Sequence, residues 1–166
     1  IHNENKTVWI AYNGEVYNFI ELKEELQKRG HIFYTNSDTE VIVHLYEDLG
    51  IECVKELNGM FAFAIWDKTK RILLLARDRF GIKPLYFSEV NGDIIFASEV
   101  KSILKFPGFI KKLDLVSLDQ YLTFEYIPAP NSIFEGIKKI PAANYLLFNN
   151  GSIKSRTYWS LSYFNE

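Results

Sequence analysis

Met60-Phe61-Ala62-Phe63-Ala64-Ile65-Trp66 is an almost unbroken apolar run, and a second one lies in Arg71 to Ala76, just past the polar turn Asp67-Lys68-Thr69-Lys70. Runs this short and this apolar predict strands buried on both faces. A chain built around them needs a sheet with layers on both sides. At 166 residues it fits one domain and can bury roughly two thirds of its unfolded surface.

The elements around this pair follow from local signals. Val8 to Tyr12 is β-branched and aromatic, and it runs into Asn13-Gly14 before resuming at Glu15-Val16-Tyr17. Asn-Gly is the strongest short turn signal, so a hairpin is expected there. Asn18 with Glu21, and Phe19, Leu22 and Leu26 on one face, predict a helix that Gly30 stops. A short strand is expected at His31 to Tyr34. Ser37-Asp38-Thr39-Glu40 has the spacing of a capping box and opens a helix that ends at Gly50. Glu52 to Leu57 reads as a further short helical piece. Leu85 to Val90 and Asp93 to Ala97 pair across Asn91-Gly92 as a hairpin. Glu99 to Phe106 and Leu115 to Tyr126 read as helices, with strands around Tyr145 to Phe148 and Ser152 to Tyr158. Helices early and late with hairpins between them predict an α+β domain with antiparallel sheet.

Composition removes several classes. The net charge is −2 with both signs spread along the chain, so neither a nucleic-acid partner nor a membrane surface is expected. No apolar run approaches the ~18 residues of a spanning helix. Cys53 is the one cysteine, which rules out an internal disulfide and fits a reducing, cytoplasmic setting. Acidic neighbours Glu52 and Glu56 make that thiol a poor nucleophile, and burial is its expected role. His2, His31 and His44 show no ligand spacing, so no metal is expected. No phosphate-binding glycine loop is present either.

Three places carry candidate chemistry. Asn13-Gly14-Glu15 would, as a turn, expose a glycine N–H beside an asparagine amide, and two convergent donors are what an oxyanion hole requires. A plain hairpin turn explains the same residues. Glu15 and Asp38 could together hold an ammonium, sharing its charge between two carboxylates. Asp38 could equally be a first-turn acid favoured by the helix dipole. Asp78-Arg79-Phe80-Gly81-Ile82-Lys83-Pro84 places charges between buried strands, and an internal ion pair is the expected account of Asp78.

Taken in order, several segments resemble the class II glutamine amidotransferases, and in particular their asparagine synthetase branch. They are Asn13-Gly14-Glu15-Val16-Tyr17-Asn18, Ser37-Asp38-Thr39-Glu40, Leu57 to Ala64, Asp78 to Tyr86, Phe96 to Lys101, Tyr121 to Phe124, Ile127-Pro128-Ala129-Pro130 and Ile133 to Ile137. The resemblance covers essentially the whole chain. It implies an N-terminal-nucleophile hydrolase fold, a four-layer αββα sandwich of two stacked antiparallel sheets. It divides the chain into an amidotransferase domain at 1–126 and, at 127–166, the end of that domain with a connector toward a synthetase domain. In that family an N-terminal cysteine attacks the side-chain amide of glutamine, with its own α-amino group as base. Asn13 and Gly14 inherit the oxyanion hole, and Asn13, Gly14, Glu15 and Asp38 inherit the binding of L-glutamine. Ammonia then passes to the synthetase domain of the same polypeptide, where ATP and magnesium activate aspartate for conversion to asparagine.

The chain departs from that pattern at residue 1, which is Ile, and no arginine precedes Arg29 to hold the glutamine carboxylate. The family's opening segment is therefore expected to lie before Ile1, and the isolated chain is expected to show no glutaminase activity. Loss of that segment should bare the edge of the strand at Val8 to Tyr12 and favour self-association. Two other readings remain open from sequence alone. One is a scaffold domain without a nucleophile beside a synthetase-like domain; the other is an amidotransferase serving a different acceptor.

Overall fold

The computed structural model describes residues 1–162, in two compact units. The first comprises Ile1–Lys83 with the chain from Ala142 onward, and the second comprises Pro84–Pro141. Both contain antiparallel sheet and helices, as the α+β expectation requires.

In the first unit the apolar runs are the centre of a five-stranded sheet. β1 (Val8–Val16), β2 (Gly59–Asp67), β3 (Ile72–Arg77), β7 (Asn144–Asn149) and β8 (Ser152–Thr157) lie in that order. Every neighbouring pair is antiparallel. Phe61 through Ile65 are buried without a break, as an apolar run at a sheet centre should be. One face packs on α1 (Phe19–Lys28), α2 (Asp38–Leu49) and the short α3 (Cys53–Glu56). Ile10, Val16, Phe61, Phe63, Ile65 and Leu74 from the sheet meet Leu26, Val41, Ile42, Leu45, Cys53 and Val54 there. Full burial of such side chains stabilises by about 1.5–3 kcal/mol each. Burial also pushes the Cys53 thiol well above its usual range, with the charge of Glu52 adding to the shift, so Cys53 serves packing.

The second unit holds a three-stranded sheet in the order β5 (Asp93–Ala97), β4 (Tyr86–Val90), β6 (Ile137–Lys139). Asn91 and Gly92 both have positive φ, 55° and 86°, so the expected primed turn closes the β4–β5 hairpin. α4 (Val100–Ile103) is shorter than expected. α5 (Leu115–Phe124) is capped by Asp114, whose carboxylate accepts from the Val116 and Ser117 N–H groups. Among the described residues no helix is long and apolar enough to cross a membrane.

Four local expectations need correction. Asn13-Gly14 is not a turn: β1 runs straight through it, pairing Asn13 with Ala62 and Gly14 with Phe61. His31 to Tyr34 is not a strand, because side chains take its backbone groups. Ile32 N–H donates to Glu4 Oε1 at 3.1 Å, and Tyr34 N–H to Glu40 Oε1 at 2.8 Å. Ser37 caps α2 by accepting from Thr39 N–H, but Glu40 turns back to residues 34 and 35 instead of closing a capping box. Finally, the edge of β1 is not bare at its start. Asn3 N–H donates to Val8 C=O and Ile10 N–H to Ile1 C=O, while Asn3 Oδ1 accepts from Thr7 and Val8.

Three tyrosines carry a pH signature. Burial comes first in raising Tyr12, Tyr46 and Tyr158 above the ordinary phenol value of 10.0, and the charges of Asp38, Asp67 and Asp78 respectively add to it. The unfolded chain would lose those protons near pH 10 while the folded chain keeps them. Stability is therefore intact below about pH 10 and is lost as pH rises beyond it. Urea melts between pH 8 and 11.5 should show a falling midpoint only on the alkaline side of that range.

Candidate functional site

β1 is an edge strand, and its register decides which backbone groups are free. Ile10 N–H donates to Ile1, and Val16 N–H donates to Asp38 Oδ2 at 3.0 Å; both point away from β2. Alternation along a strand then places the Gly14 N–H on that same outer side. The N–H groups of Asn13 and Glu15 face β2. Gly14 and Val16 N–H groups lie two residues apart, roughly 6.7 Å along the strand.

Glycine is required at 14 for a reason other than a turn. A Cβ built there would lie 2.7 Å from Phe61 Cα and 2.9 Å from Phe61 Cβ, with the Met60 carbonyl nearer still. Gly59 is in the same position opposite Val16, where its Cβ would lie 3.0 Å from Val16 Cα. Both glycines occupy the close, non-hydrogen-bonded pairs of the ladder. Gly14→Ala would force β1 away from β2 and should cost about 1–3 kcal/mol, measured as a lowered urea midpoint.

The Asn13 and Glu15 side chains leave β1 on its exposed face, and among the described residues no protein group hydrogen-bonds either of them. Asp38 comes from the first turn of α2. Its Oδ2 accepts from the Tyr12 hydroxyl at 2.6 Å and from Val16 N–H. Its Oδ1 has only two long contacts, from Ser37 Oγ at 3.3 Å and Thr39 Oγ1 at 3.4 Å, so it retains capacity to accept. Asp38 is thus brought to the same end of β1 as Asn13, Gly14 and Glu15. The Glu15 carboxylate also reaches this point electrostatically. After burial and Asp38, it is the next group that raises the Tyr12 hydroxyl.

Tyr12 was not among the sequence candidates. It fixes Asp38 against β1, and its only sequence signal is its place one residue before Asn13-Gly14. Asn18 also acts differently from a helix cap. Its side chain donates to Glu56 C=O and accepts from Asn58 N–H, which ties the end of β1 to the start of β2.

Asp78 also departs from the ion pair expected for it. It is buried, and among the described residues no ion pair reaches it. Its oxygens instead accept four backbone N–H groups, from Phe61 (3.2 Å), Phe80 (3.1 Å), Ile82 (3.0 Å) and Lys83 (2.9 Å). One carboxylate therefore folds the 78–83 loop and ties it to Phe61, the residue directly across from Gly14. Arg77 completes the loop by donating to the carbonyls of Lys83 and Gly81.

Residues 1–159 match the family described as "Glutamine amidotransferase domain". The chain belongs to this family. Glutamine-hydrolysing asparagine synthetase 1 of Bacillus subtilis is 42% identical to this amidotransferase domain over 161 residues. The alignment covers 96% of the domain's chain and 25% of that relative. Putative asparagine synthetase 2 of Methanocaldococcus jannaschii is 41% identical, covering 92% of this chain and 30% of its own length. The domain thus spans between about a quarter and a third of these relatives. Among solved structures, the glutamine phosphoribosylpyrophosphate amidotransferase of B. subtilis superposes with a TM-score of 0.63. It is 23% identical, and the match covers 96% of this chain and 31% of that one. At that identity the likeness establishes the fold: the amidotransferase domain has the N-terminal-nucleophile hydrolase type.

Proposed function

We propose that this domain binds L-glutamine at the outer edge of β1 and supplies the glutamine-hydrolysing half of a larger, asparagine-forming enzyme. The observation that carries this reading is the edge register. It leaves the Gly14 N–H facing outward, two residues from the Val16 N–H that holds Asp38. That spacing is comparable to the separation of the side-chain amide and the α-amino group in an extended glutamine. Gly14 N–H and the Asn13 side-chain amide would donate to the amide oxygen as it becomes negative. Asp38 Oδ1 and the Glu15 carboxylate would receive the substrate ammonium.

The attacking thiol is not Cys53, which is buried beneath the sheet with its protonated form favoured. The family resemblance assigns the attack to an amino-terminal cysteine, a role that no residue from Ile1 to Glu166 fills. Aspartate, ATP and magnesium belong in this reading to a synthetase domain of the same polypeptide, which the length of the curated relatives accommodates. We place the protein in the cytoplasm, consistent with its single, buried cysteine. The test is glutamine-dependent ammonia release by the longer polypeptide that contains this chain. Release that requires the amino-terminal cysteine and is insensitive to Cys53→Ala supports the reading. Absence of release from a folded, full-length protein would leave only a scaffold role.

A further inference from the structure

α2 carries a second polar cluster, on a side the glutamine reading does not use. His44 is fully buried, with its ring 4.8 Å from the ring of His31 and 4.6 Å from that of Phe33. His44 Nδ1 lies 2.9 Å from Glu47 Oε2 and 3.8 Å from Glu4 Oε2. His31 Nδ1 lies 3.8 Å from the same Glu47 oxygen. Ligand atoms of Glu4, His31 and His44 all fall within 4.8 Å of one another. These residues come from three separate segments, so no sequence spacing announces them.

The far side of each ring is informative. His31 Nε2 is 2.9 Å from Asp48 Oδ1, and Asp48 is held in turn by Arg29 at 3.1 Å. In a neutral ring that contact favours the Nε2–H tautomer, which turns the Nδ1 lone pair toward the cluster. His44 Nε2 is buried without a hydrogen bond, 3.6 Å from Glu40 Oε1. Glu40 is already committed to Tyr34 N–H, Thr35 N–H and the Thr35 hydroxyl. Neither neutral tautomer of His44 suits both sides. A proton on Nδ1 leaves the Nε2 lone pair against Glu40, and a proton on Nε2 leaves the Nδ1 lone pair against Glu47 and Glu4. With neutral rings, the carboxylates Glu4, Glu40, Glu47 and Asp48 meet one full cation, Arg29, and three negative charges stay uncompensated.

We propose that Glu4, His31 and His44, with Glu47 beside them, bind a divalent cation of the zinc class. A cation on His44 Nδ1 puts the ring proton on Nε2, toward Glu40, and resolves the tautomer conflict. It also gives each imidazole a carboxylate behind it, the arrangement that orients metal-bound histidines. Two imidazoles with carboxylates suit zinc, cobalt or nickel; magnesium and calcium favour all-oxygen sets. Tetrahedral donors at about 2.0–2.1 Å from zinc lie roughly 3.4 Å apart. Glu4 is exposed and His31 partly so, which leaves these two side chains room to adjust toward a bound ion. The bound ion would tie the amino-terminal segment and the segment after α1 to α2, the helix that begins at Asp38.

The test is calorimetric titration of the chelator-treated chain with zinc, and optical titration with cobalt. One equivalent should bind, cobalt should develop visible tetrahedral bands, and the melting temperature should rise with zinc concentration. His31→Gln should weaken binding by about 100-fold or more, and Asp48→Asn by about 10–100-fold. Glu4→Gln, at an exposed position that should leave folding intact, should weaken it at least about 10-fold. His2→Gln, at a neighbouring surface ring outside the cluster, should leave it unchanged. Absence of saturable binding, with both His44 ring nitrogens protonated by NMR, would show that a proton fills this role and would overturn the proposal. Binding that survives His31→Gln unaltered would overturn it as well.

Discussion

Asn13→Ala, in a form of the protein that hydrolyses glutamine, is expected to lower kcat for that reaction by about 10²–10³-fold. KM should change little. The Asn13 amide is asked to meet charge that exists only once the tetrahedral intermediate forms, so its loss falls on the transition state and not on ground-state binding. The side chain is exposed on β1 and holds no other part of the protein among the described residues. Folding should therefore be unaffected, and the urea midpoint should match that of the parent. A raised KM with unchanged kcat would instead place Asn13 in simple substrate binding. Asp38→Asn should show the complementary pattern, because it weakens the hold on the substrate ammonium before any bond changes.

Asp78→Ala is the substitution expected to damage the fold most. It removes the acceptor for four backbone N–H groups around a buried carboxylate. Each buried donor left unsatisfied costs roughly 1–3 kcal/mol, and water can enter to recover part of that. A loss of at least about 3 kcal/mol is expected, read from urea melts of the 166-residue chain. The damage should extend to the site, since Phe61 loses one of its anchors while lying opposite Gly14. Asp78→Asn keeps the shape and half the acceptor capacity, so it should fall between the parent and Asp78→Ala. Equal stability of Asp78→Ala and the parent would show that the loop holds itself.

The contrast between the two Asn-Gly pairs explains what sequence could and could not say. At Asn91-Gly92 both residues take positive φ and close a hairpin, as the dipeptide predicts. At Asn13-Gly14 the same letters sit inside a strand, because Gly14 is chosen by the close approach of Phe61 across the ladder. A local signal cannot show what will lie opposite. The buried runs of β2 and β3 were legible because their constraint is internal to the segment, and so were the stops at Gly30 and Gly50. The 31–34 segment was misread for the converse reason: its backbone partners, Glu4 and Glu40, are distant or belong to another element. Asp78 looked like half of an ion pair because its neighbours in sequence are arginines, yet its partners are main-chain amides. For the candidate site, the motif order named Asn13, Gly14, Glu15 and Asp38. The hydroxyl of Tyr12 that fastens Asp38 to β1, and the meeting of His31 with His44, exist only in three dimensions.

The most direct test of the glutamine site is an amide NMR titration of this chain with L-glutamine, which stays intact here because Cys53 cannot attack it. The Gly14 N–H and the Asn13 side-chain amide should shift together and saturate, while the Asn13 and Glu15 backbone N–H groups, turned toward β2, should move little. Saturable glutamine binding that leaves Gly14 unmoved, or a Gly14 amide protected from solvent exchange as strongly as its β2-facing neighbours, would contradict the account.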